Sequence, residues 1–99
     1  MKKQITYYYD STNDEYRFAV IEDDHVHTHG EVKVLWESKD RVSLVGSQWG
    51  VDGNFGNKYS VDPVYWRYQP HTELCRVMKE IVKLNPSYSD ADLICIQID

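Results

Sequence analysis

The sequence predicts an α+β fold: a mainly antiparallel sheet with one amphipathic helix packed on one of its faces. Three observations carry this. Apolar and polar residues alternate through most of positions 4–48, the period of half-buried strands. Between Thr72 and Leu84 the apolar residues shift to helical spacing. The chain then finishes in a short apolar run, Asp92–Asp99. Ninety-nine residues suit a single compact domain over 1–99 with one modest core.

The first half reads as a four-strand meander. Gln4–Tyr9 sets Ile5, Tyr7 and Tyr9 against Thr6 and Tyr8, and the turn formers Asp10-Ser11-Thr12-Asn13-Asp14 follow. Glu15–Glu22 places Tyr16, Phe18 and Val20 on one side, which makes the first hairpin the clearest local unit. Val32, Val34 and Trp36 mark the inner face of the third strand. The same parity run backwards makes residues 25–37 one strand, turning at Glu22-Asp23-Asp24, with a bulge expected at Gly30. Ser38-Lys39-Asp40 turns the chain into Arg41–Gln48, with Val42 and Leu44 inward.

Regular alternation stops from Gly46 to Pro63, where glycines are interleaved with Trp49, Phe55 and Tyr59; a long functional loop is expected there. Val64–Tyr68 reads as a short fifth strand stopped by Pro70. Thr72 is the expected N-cap of the helix, whose buried arc is Leu74, Val77, Met78, Ile81, Val82 and Leu84, and Asn85-Pro86 ends it. The terminal strand is apolar on both faces, so it is expected inside the sheet and covered by the helix.

Composition narrows the function classes. Sixteen acidic against eleven basic residues give a net charge of −5, which argues against binding duplex nucleic acid. No apolar run reaches membrane-spanning length, and Lys2-Lys3 is not followed by the apolar stretch of a signal peptide, so no membrane association is expected. Cys75 and Cys95 stand in apolar contexts without metal-ligand spacing; they are expected to be reduced core residues, and the location cytoplasmic. Eight Tyr against two Phe favour rings at the core margin or on a protein-binding surface.

The tract His25-Val26-His27-Thr28-His29 stands out chemically. Residues two apart on a strand share a face, so the three imidazoles would form one row, continued by Asp23 and Glu31. Same-face neighbours lie about 6.5–7 Å apart at Cα, so two imidazoles can converge on zinc or another divalent transition metal, while three in a straight row converge poorly. A metal site would use two of His25, His27 and His29 plus a third ligand from Asp23, Glu31 or His71, and would support a metal-binding protein or hydrolase. The wet outer face of a long strand accounts for the same residues more simply. As a pH sensor, the tract has carboxylate neighbours that favour charging and imidazole neighbours that oppose it.

No nucleophile motif, phosphate loop or acid–base pair with a marked pocket occurs, so a non-enzymatic protein without a resident cofactor is expected. The expected function is a small acidic protein-binding module, an inhibitor or adaptor. Its contact residues are expected to be Trp49, Phe55, Tyr59, Tyr65, Trp66 and Arg67, with acidic turns as a rim. Size, acidity and Tyr content are similar in style to accessory proteins that phages direct against host protein complexes, a likeness of composition alone. The clusters Asp10/Asp14/Glu15, Glu22/Asp23/Asp24 and Asp90/Asp92 add a weaker reading, an acidic nucleic-acid mimic that blocks a nuclease.

Overall fold

Turn chemistry sets the register of the sheet. In a computed structural model, which describes residues 2–49 and 56–98, β1 (Lys2–Asp10) pairs antiparallel with β2 (Glu15–Glu22) from Gln4↔Ile21 to Asp10↔Glu15. The Asp10 carboxylate holds the intervening turn, accepting hydrogen bonds from the Thr12 and Asn13 backbone N–H groups at 3.0 and 3.3 Å and from Asn13 Nδ2 at 2.9 Å. Asp23 and Asp24 both adopt positive φ (52° and 64°), the conformation of a two-residue hairpin, and Glu22 pairs with His25 across it. β3 (His25–Glu37) thus forms over the expected residues, and the Ser38 hydroxyl organises the turn into β4 (Val42–Gln48).

The Asp10 turn makes stability depend on pH. The Asn13 side-chain hydrogen bond, helped by the backbone N–H groups of Asn13 and Thr12 and by Arg17, holds the Asp10 carboxyl below the usual aspartate range. A carboxyl more acidic in the folded than in the unfolded state stabilises the fold above its unfolded pKa. That stabilisation disappears as pH falls through the folded value. The stability difference between the wild type and Asp10→Asn is therefore expected to be constant from about pH 5 to 7 and to shrink below about pH 4. Denaturant midpoints across that range test this; a difference that stays constant to about pH 2 would count against it.

Among the described residues six strands form one sheet in the order β5-β4-β3-β2-β1-β6, with β5 at Asn57–Val61 and β6 at Asp92–Gln97. All pairings are antiparallel except β1 with β6, which run parallel. Helix α2 (Pro70–Val82) lies on one face and buries Leu74, Val77, Met78, Ile81 and Val82 against Ile5, Tyr7, Val20, Val32 and Leu44. The expected α+β class is the observed one.

Several local expectations are corrected. The long loop expected from Gly46 to Pro63 is shorter, because Gly46–Gln48 belong to β4 and Asn57–Val61 form β5. Val64–Tyr68 is not a strand but most of a short helix, α1 (Pro63–Tyr68). Asp62 caps it by accepting from Val64 N–H at 2.8 Å, and Pro63 occupies its first turn. Helix α2 starts at Pro70 after Gln69, not at Thr72, because proline has no N–H to lose in a first turn; Leu84 falls beyond its end and is exposed. Gly30 is not a bulge. It pairs regularly with Phe18 and Gln48, and glycine is needed because a Cβ there would strike the Ser47 carbonyl oxygen and the Phe18 ring. The register instead shifts between Val20 and Ile21, where His27 is the extra residue of β3, and between Val34 and Trp36.

Two further corrections concern β6 and its cysteine. β6 is an edge strand rather than an interior one. Its inner residue Leu93 is buried and Cys95 is half-buried, but Ile94 and Ile96 are 43% and 41% exposed. Both faces of β6 are apolar, and the fold covers one. Cys75 on α2 and Cys95 on β6 are not reduced: they form a disulfide with Cα atoms 5.8 Å apart. Among the described residues no helix is long and apolar enough to cross a membrane.

Candidate functional site

Among the described residues no helix covers the sheet face opposite α2, and the pairing registers determine which side chains stand on it. One row across the sheet is Ile96, Thr6, Ala19 and His29; the next is Tyr8, Arg17, Glu31 and Ser47. Small side chains in the first row, Thr6 and Ala19, leave a depression. Taller neighbours, among them Tyr8, Ile21, Trp49 and Ile98, wall it into a groove of about 370 Å³ with a mainly apolar lining.

Trp49 forms one wall. Its backbone N–H bonds the His29 carbonyl oxygen at 2.8 Å, its carbonyl oxygen accepts from the Thr28 hydroxyl at 3.1 Å, and its indole N–H donates to Glu31 Oε2 at 2.9 Å. The indole also lies against the His29 ring, centroids 5.1 Å apart. The ring is therefore held in place while 56% exposed. Such an aromatic loses little conformational freedom when a partner covers it.

The groove is electrostatically quiet. Arg17 on its floor is matched by Glu15 at 3.0 Å and Asp10 at 3.2 Å, and the Glu15 hydrogen bond is the main reason its pKa is raised. Apolar exposure continues along β6: Tyr8, Ile94, Ile96 and Ile98 are each between 40% and 46% exposed. Ile98 N–H still bonds the Tyr7 carbonyl oxygen at 2.8 Å, so the chain stays strand-like beyond Gln97.

The residues expected to bind a partner are not gathered into one surface. Trp49 lies on the open face. Tyr65 and Arg67 are exposed on α1, on the other side of the sheet; Trp66 is buried in the core, and Tyr59 is half-buried against it. Phe55 lies outside the described residues. The groove walls also include Tyr8, Ile21 and Ile98, which are not among the expected contact residues, and Ile96 stands beside them. Only the two β6-side residues, Ile96 and Ile98, carried a sequence signal, the apolar run from Leu93 to Ile96 resumed at Ile98.

The histidine row is broken by the extra residue at position 27. His25 pairs with Glu22 at the hairpin end, and His27 Nε2 lies 3.8 Å from Glu22 Oε2. His29 alone lines the groove. Of the third-ligand candidates, Glu31 receives the Trp49 N–H, and His71 is on α2, where its Nδ1 hydrogen-bonds the Tyr7 hydroxyl. Among the described residues no group of three or more His, Cys, Asp or Glu side chains is placed to hold a metal ion. Comparison with protein-family models, curated proteins and solved structures gives no match for this chain.

Proposed function

We propose that the chain is a non-enzymatic protein-binding module of adaptor or inhibitor type. It receives an extended segment of a partner protein along the free edge of β6, and the segment's alternate side chains reach onto the open sheet face. The observation that carries this reading is the continuous exposed apolar strip of Tyr8, Ile94, Ile96 and Ile98 bordering the Trp49 groove. An edge strand offers a row of backbone donors and acceptors, and natural edges are usually blunted by lysine, proline or a bulge. The run Leu93–Ile98 contains none of these. Strand addition takes affinity from main-chain hydrogen bonds and specificity from alternate side chains. The net charge of −5, with Asp90 and Asp92 at the start of β6, favours a segment flanked by basic residues. The disulfide removes the argument from reduced cysteines on which a cytoplasmic location rested.

Selection from a random peptide library on the wild-type protein, with Ile96→Lys as counter-target, tests the proposal. Enriched sequences should carry apolar residues at every second position with Lys or Arg flanking, and should lose at least about tenfold in affinity for Ile96→Lys. Ile96 is exposed, so this substitution leaves the core untouched. Equal binding to Ile96→Lys would overturn the proposal. So would a concentration-dependent dimer with newly protected β6 amides, which would assign the edge to a second copy of the chain.

A further inference from the structure

A second concavity, of about 420 Å³, lies on the α2 side of the sheet, beyond the end of the main core. Four aromatic side chains line it: Tyr9 and Tyr16 from the first hairpin, Trp36 from the end of β3 and Trp66 from α1. Val34 adds an aliphatic patch, and the remaining lining residues are two carboxylates, Asp14 and Glu37. Among the described residues the lining contains no Lys, Arg or His. Four rings and two acids around an open hollow form an unusual combination. A bound cation would gain from both the ring faces and the carboxylates.

The rings are placed for such a guest. Tyr9 and Tyr16 lie with centroids 5.1 Å apart at a 58° tilt, so they meet as a corner rather than a closed stack. Trp66 is almost wholly buried and its position is fixed by the core; Trp36 is 45% exposed at the rim. The Arg41 guanidinium, outside the lining, sits 5.2 Å from the Trp36 ring centroid, so this indole already serves as a cation-binding surface. Asp14 and Glu37 both act on Tyr16: after burial itself, their charges are what push its phenol pKa up. The same negative field favours a positive guest.

The geometry points to a binding site for a methylated ammonium group, caged by Tyr9, Tyr16, Trp36 and Trp66 with Asp14 and Glu37 supplying the counter-charge. A bare ammonium needs hydrogen-bond acceptors for its three N–H groups, and ring faces, four of which line this site, supply none. A quaternary head needs no such acceptors, is less costly to take out of water, and is attracted to ring faces. The volume lies within the range of small-ligand pockets. Two sources share this chemistry: a free choline-like amine and a methylated lysine in a protein tail.

Titration with tetramethylammonium chloride, followed by the aromatic and indole NMR resonances, tests the assignment. Sodium chloride controls for ionic strength. Saturable shifts of Tyr9, Tyr16, Trp36 and Trp66 are expected with a millimolar Kd. The neutral isostere 3,3-dimethylbutan-1-ol should bind at least about tenfold more weakly than choline. Glu37→Gln, at an exposed position, should weaken binding severalfold with the fold intact, and Trp36→Ala should weaken it by about tenfold or more. A trimethyllysine peptide binding more tightly than choline would place the source in a protein tail; equal binding would place it in a free amine. No saturable response up to about 50 mM, or equal binding of the neutral isostere, would overturn the site. Neither result bears on β6, whose test uses a different face and different variants.

Discussion

Replacing Ile81 with Asp is expected to leave the protein unfolded at room temperature. Ile81 is fully buried on the sheet-facing side of α2. Its δ-methyl group occupies the space above Gly46, where a Cβ would collide with it, and Val32 closes the same space. Helix and sheet therefore pack closely at this point, and they can because position 46 has no side chain. A carboxylate at position 81 loses the transfer energy of the isoleucine, leaves a cavity of its own and has no cationic partner among the buried residues around it. Truncating a buried isoleucine costs about 2–5 kcal/mol. An unpaired charge in the interior adds several more after relaxation. Their sum is comparable with the whole stability of a domain of this size, about 5–15 kcal/mol. Ile81→Val should cost only about 1 kcal/mol. Glu80→Ala, one position along on the exposed side of the helix, should stay within about 0.5 kcal/mol. Circular dichroism and urea melts separate these outcomes. A cooperative transition for Ile81→Asp, with a loss below about 2 kcal/mol, would show that the α2–sheet contact does not hold the fold together.

That contact was legible in the sequence because it depends on periodicity alone. Leu74, Val77, Met78, Ile81 and Val82 share one arc of a helix whatever the rest of the chain does. Ile5, Tyr7, Phe18, Val20, Val32, Val42 and Leu44 likewise share a sheet face by parity. Long-range topology is another matter. Nothing in Leu93-Ile94-Cys95-Ile96 says whether the outer face of that strand is covered by the same chain, because apolarity alone does not identify what covers a face. Parity also fails wherever one residue is inserted into a strand, and His27 is such a residue; a shift of one position was enough to turn an apparent row of imidazoles into three separate environments. The misreading of Val64–Tyr68 has a different origin. β-branched and aromatic residues suggested a strand, while the local signal of Asp62-Pro63, a capping acid followed by a first-turn proline, outweighed it. The open-face groove arises from residues that are distant in sequence, Tyr8, Ile21, Trp49 and Ile98, so no local pattern announced it.

Breaking the Cys75–Cys95 disulfide should lower stability by about 3 kcal/mol, the loop-closure estimate for cysteines separated by 20 residues. For a chain of this length that corresponds to roughly 15 °C in Tm. The more informative part of the expected result is where the loss falls. β6 hydrogen-bonds to a single neighbour, β1, and buries only Leu93 deeply. The cystine adds a covalent tie to α2. In the reduced protein, β6 amides should therefore exchange faster than those of β2 and β3, which have partners on both sides, as a local opening rather than a global one. Thiol reduction compared with Cys75→Ser/Cys95→Ser, each followed by amide exchange and thermal melts, checks both parts. Unchanged β6 exchange in both forms would mean that strand pairing alone holds the edge. If the expected loosening is found, the disulfide has a consequence beyond stability. A strand edge can template a partner segment only while it is straight and ordered, because every residue that must be re-ordered on binding costs about 1–2 kcal/mol of backbone entropy. The apparent affinity of such a segment is its intrinsic affinity multiplied by the fraction of molecules whose β6 is ordered. Peptides selected on the oxidised protein should therefore bind the reduced one more weakly, even though Ile94, Ile96 and Ile98 are unchanged.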